Sequence, residues 1–113
     1  MITTVLVAML LAASPTDTAY SARDAYLACI DTELRDGLDK KVEPDAFNSA
    51  VVVTCQPKLD AWKTAYLAAD AADGIKAKDS AESFKVDADD FLDSAKDRYK
   101  DYFDTKTSPA KKG

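Results

Sequence analysis

At 113 residues and a net charge of −5, the chain has room for one modest core and lacks the concentrated basic surface that phosphate binding needs, so neither a second domain nor a nucleic-acid partner is expected. Charged residues make up 31% and apolar residues 47%, well away from the composition of disorder, and Ala far outnumbers the three Gly, which favours helices over turn-rich sheets. There is no His, which removes the commonest general base, metal ligand and neutral-pH switch together, and no enzyme is expected.

The run Val5 to Ala13, VLVAMLLAA, followed by Ser14-Pro15-Thr16-Asp17, reads as the apolar core of a signal peptide with a polar, helix-breaking exit. It is too short to cross a bilayer, which takes about 20 apolar residues. Residues 1–18 are therefore expected to be a removable signal segment, with cleavage near Ala12-Ala13-Ser14 or Thr16-Asp17-Thr18. No Lys or Arg precedes the run, and a buried cytosolic N-terminal helix is the alternative.

The mature part, 19–104, reads as an antiparallel three-helix bundle. A first helix is predicted from Asp17 or Ser21 to Lys41, capped by Thr16 or Asp17, with Tyr20, Leu27, Ile30, Leu34, Leu38 and Val42 as its buried stripe. Gly37 interrupts it at a cost of about 1 kcal/mol against Ala and marks an early end. A second helix is predicted from Pro44, which suits a first turn, to Gly74, with Phe47, Val51, Cys55, Leu59, Trp62, Tyr66 and Ala69 facing inward and a kink at Pro57. A third is predicted from Asp79 to Phe103, capped near Asp79 or Ser80, with Phe84, Ala88, Phe91, Ala95, Tyr99 and Tyr102 as its stripe. The polar segment 105–113 is expected to be a disordered tail, and Lys111 and Lys112 would contribute only about 2 kcal/mol at an anionic membrane, too little for a stable anchor.

The two cysteines are expected to pair, since Cys29 lies 13 residues before Val42 and Cys55 lies 13 after it, which brings them level in a helical hairpin turning at Val42 to Pro44. A redox-active pair is the alternative, but no C-x-x-C is present. The pattern Tyr26-x-x-Cys29, a turn, then Cys55-x-Pro57 resembles that of small uncharacterised exported bacterial helical proteins with two cysteines. The resemblance covers the first hairpin and implies a periplasmic or secreted location and a helical architecture.

Candidate binding features are few. From Asp79 to Asp104 nine acidic residues face four basic ones, and Asp90, Asp93, Asp97, Asp101 and Asp104 recur at steps of three and four, forming an acidic stripe. Such a stripe offers divalent cations or a basic partner a surface; a solvated face is the plainer reading. Asp87-x-Asp89 lacks the Gly of a calcium loop, and no metal site or cofactor is expected. Trp62 and Tyr66 are expected in the core, with an aromatic ligand cleft as the alternative. Tyr99, Tyr102 and Phe103 crowd the end of the third helix and are the expected protein-contact patch. The function class expected is a non-catalytic exported interaction protein, with cation sequestration by the stripe, or an envelope structural or stress role without a specific ligand, as its rivals.

Overall fold

The computed structural model describes residues 14–110; the expected signal run Val5–Ala13 and the tail lysines Lys111 and Lys112 lie outside them. Ser14 opens the first helix, accepting a hydrogen bond from the backbone N–H of Asp17 at 3.1 Å, and Pro15 occupies the first turn, where its missing N–H costs nothing. The cap therefore precedes the expected Thr16 or Asp17. Helix α1 spans Pro15–Asp39, α2 Pro44–Ala72 and α3 Ala77–Thr105. Among the described residues there is no strand. The chain is an all-α, three-helix bundle.

All three helices end the same way. Lys41, Gly74 and Lys106 adopt positive φ of 55°, 80° and 56°. The next residue's N–H then reaches back five positions, Val42 to Gly37 O and Ile75 to Asp70 O at 2.9 Å and Thr107 to Tyr102 O at 3.0 Å, which satisfies carbonyls the helix leaves open. Glycine marks only one of the three stops, which is why the outer bounds of α1 and α3 were not legible from residue type.

The stripes assemble a core of Ile30 and Leu34 from α1, Phe47, Val51, Cys55 and Trp62 from α2, and Phe84, Ala88, Ala95 and Tyr99 from α3. Leu27, Leu38, Val42, Leu59, Tyr66, Phe91, Leu92, Tyr102 and Phe103 pack against it, partly buried. Two residues of α1 exchange roles relative to expectation. Tyr26 is buried and Tyr20 is 54% exposed, because Tyr26 is four residues before Ile30, on the face that meets Trp62.

Helix α2 runs unbroken through Pro57. The carbonyl that Pro57 cannot serve belongs to Val53, which is 75% exposed, so water can take the place of the missing donor. Ser80, expected near a helix cap, is instead buried inside α3, and its hydroxyl donates to Asp70 Oδ2 at 2.6 Å, tying α3 to the last turn of α2.

Cys29 and Cys55 form a disulfide across α1 and α2, their Cα atoms 5.8 Å apart. Closing a loop of this length contributes about 3.5 kcal/mol in the chain-entropy account, a large share of a small domain's stability. The segment after α3, expected as a loose tail, returns towards α1. The Arg35 guanidinium donates to Pro109 O at 3.4 Å and to Ala110 O at 3.2 Å while its Nε bonds Asp31.

Candidate functional site

A cleft of about 620 Å³ opens where the start of α1, the end of α2 and the first half of α3 meet. Its apolar wall is aromatic. Trp62, 3% exposed, lies at the centre of a cluster in which Phe84 meets it edge-on at 4.7 Å between centroids, Tyr26 stacks at 5.7 Å, Phe91 tilts at 5.7 Å and Tyr66 stands perpendicular at 6.3 Å. Helical spacing produces this cluster: Trp62 and Tyr66 are one turn apart on α2, and Phe84 and Phe91 are two turns apart on α3. Tyr20 on α1 forms the outer wall, with the Arg23 guanidinium 4.8 Å over its ring and bonded to Asp24 at 3.2 Å.

The polar side of the cleft is acidic. Asp70 and Asp73 come from the end of α2, and Asp87 and Asp90 from α3. Asp70 accepts from Ser80, and Asp87 accepts a long hydrogen bond from the Tyr66 hydroxyl at 3.4 Å. Among the described residues none of the four carboxylates forms an ion pair. Their field reaches the neighbouring phenol: burial, then the charges of Asp87 and Asp70, hold the Tyr66 hydroxyl above its ordinary pKa.

The other expected site residues are distributed differently. Asp90 lines the cleft, whereas Asp93, Asp97, Asp101 and Asp104 continue as an exposed face of α3, with Asp104 bonded to Lys100 at 3.0 Å. Among the described residues no group of three His, Cys, Asp or Glu side chains is placed to hold a metal ion. The stripe's steps of three and four spread its carboxylates along the helix instead of converging them on a point.

The expected contact patch requires one correction. Tyr99 is fully buried and cannot be a surface contact. Its ring stacks on Phe47 with centroids 3.8 Å apart and planes 4° off parallel, and its hydroxyl donates to Val42 O at 2.6 Å. Gly37 makes this approach feasible: a Cβ there would lie 2.9 Å from Tyr99 Oη and 3.0 Å from Cε2. The glycine expected to end α1 thus lies within it, as the seat of an aromatic ring. Tyr102 and Phe103 remain partly exposed and border a second groove of about 530 Å³ with Leu38 and the segment after α3.

The sequence singled out Trp62 and Tyr66 as core residues with a ligand cleft as the alternative, Asp90 as part of the stripe and Asp87 in a rejected calcium loop, but not Arg23, Asp70 or Asp73. One local signal was available: Asp70 and Asp73 sit at a helix C-terminus, where the helix dipole disfavours negative charge. No family model, curated protein or solved structure matches the chain.

Proposed function

We propose that this chain is a non-catalytic binding protein of an oxidising compartment, exported to the periplasm or the cell exterior. The Cys29–Cys55 bridge carries the reading, because disulfides persist where glutathione and thioredoxin do not keep thiols reduced. The apolar run Val5 to Ala13 and the resemblance of the Cys29 and Cys55 hairpin to exported helical proteins point the same way. No helix among the described residues is long and apolar enough to cross a membrane. With both thiols in the bridge and no His in the sequence, the usual nucleophile and base pairs are absent, and binding is the activity the surface supports.

Intact mass of the natively expressed protein, with alkylation before and after reduction, tests export. Loss of the N-terminal segment and thiols that label only after reduction are the expected result. A full-length chain with freely labelled thiols would remove the compartment on which this function depends.

A further inference from the structure

Helix α2 carries a face that no other element among the described residues covers. Residues 46–57 contain no charge, although Glu43 and Asp45 precede them and Lys58 and Lys63 follow. Phe47, Val51 and Cys55 of this run turn into the core, while the opposite side is open to solvent, with Val52 41% and Val53 75% exposed. The solvent side of α3 carries the aspartate stripe; that of α2 presents valine, alanine and Pro57. Pro57 also leaves the Val53 carbonyl without a helical donor.

The charges that bracket this face select what fits it. The N-terminal bracket is acidic and the C-terminal one basic, and among the described residues none of the four forms an ion pair. Asp60, the one acid at the basic end, is occupied by the Gln56 amide at 2.8 Å. A helix of the same sequence laid antiparallel matches acid to base at both ends, whereas a parallel one matches like with like. The helical repeat sharpens the match. Asp45 and Lys63 are 18 residues apart, which is five turns, so they share one edge of the face, and Glu43 and Lys58 lie on the other side of Val53. In an antiparallel pair centred on Val53, Asp45 comes within about 3 Å, measured along the axis, of Lys63 of the second copy. The same register sets Ser49 of the second copy opposite Pro57, where its hydroxyl can supply the donor that the Val53 carbonyl lacks.

We infer that this face docks a second copy of the chain, α2 against α2 in antiparallel two-fold symmetry, with Val53 at the axis and the bracketing charges fixing the orientation. A face one helix wide and about 30 Å long is smaller than the roughly 800 Å² each partner buries in a standard interface, so the dimer is a weak one that forms at micromolar concentrations and above. The inference goes beyond the reading of the chain as an exported binding protein and does not depend on it.

Sedimentation equilibrium of the full, bridged chain at physiological salt, from about 10 μM to about 1 mM, tests the interface. The average mass is expected to rise towards that of two chains. Val53→Arg puts charge at the axis and keeps a good helix former there, and is expected to hold the chain monomeric throughout. Reversing either bracket, by Lys58→Glu with Lys63→Glu or by Glu43→Lys with Asp45→Lys, weakens the dimer at least about tenfold, and reversing both restores it. The second of these pairs lowers the net negative charge, so general repulsion between chains predicts the opposite result for it.

A chain that stays monomeric up to about 1 mM, a Val53→Arg variant that associates as before, or bracket reversals without effect would each overturn the assignment. Far-UV circular dichroism checks that each variant keeps its helices, and the concentration series of the unaltered chain decides the matter where one does not.

Discussion

The two ends of the bundle are built from the same kind of residue and reach opposite outcomes. At the turn between α1 and α2, Tyr99 fills the space between three helices, fully buried, stacked on Phe47 and bonded to Val42 O. At the far end Trp62, Tyr66, Phe91 and Tyr20 border a cleft. What differs is the residue α1 presents. Gly37 lets an α3 ring lie directly on the α1 backbone, whereas Tyr20 and Arg23 project bulk and charge towards the cleft. Helix separation follows the side chains at the contact, so around Tyr99 the space between the helices is filled, with the groove beside Tyr102 and Phe103 lying outside it, and at the far end it is left open.

The comparison breaks most severely at Tyr99. Tyr99→Ala is expected to cost about 3 to 5 kcal/mol, by leaving a cavity and depriving Val42 O of its donor, and should appear as a large fall in the urea midpoint. A loss under about 1 kcal/mol would mean that the sealed end does not hold the bundle together.

Gly37→Ala probes the same contact from the other side. Helix propensity alone favours Ala by about 1 kcal/mol, but the new methyl meets a ring pinned on two sides, and overpacking costs about 1 to 3 kcal/mol. Net destabilisation is expected by thermal melting. A stabilised variant would show that Tyr99 yields freely.

Alkali tests both ends together. Burial holds the hydroxyls of Tyr26, Tyr66 and Tyr99 above their ordinary value of 10.0. Hydrogen bonding to Asp89 and Asp104 likewise raises Lys85 and Lys100 above 10.5. Each of these groups holds its proton more tightly in the folded chain. The stabilisation is thus complete below the unfolded values and is lost as pH rises through the folded ones. The urea midpoint should therefore fall as pH rises above about 10. Tyr66→Phe should remove the cleft's share of that fall; an identical pH profile in the variant would place the alkaline sensitivity elsewhere.

The smallest effect sharpens the contrast. Tyr20, 54% exposed, should tolerate replacement by Ala within about 0.5 kcal/mol. The urea midpoints of Tyr20→Ala and Tyr99→Ala therefore separate a wall residue from a core one of the same type, and similar losses would erase the distinction between the ends.

Periodicity and cysteine spacing were sufficient for the three helices, the α2 stripe from Phe47 to Trp62 and the Cys29–Cys55 bridge, because helical repeat and hairpin register are local or nearly local properties of a chain. The same information put Tyr99 both on the inward stripe of α3 and in a contact patch and could not choose between them, since its full burial depends on a glycine 62 positions away, nor could it exchange Tyr20 for Tyr26 in the core. It could not bring Asp70 and Asp73 opposite Asp87 and Asp90 either. Which aromatic rings are sealed in and which are left facing a cleft is decided by how closely the helix backbones approach, and that distance exists only once all three helices are packed.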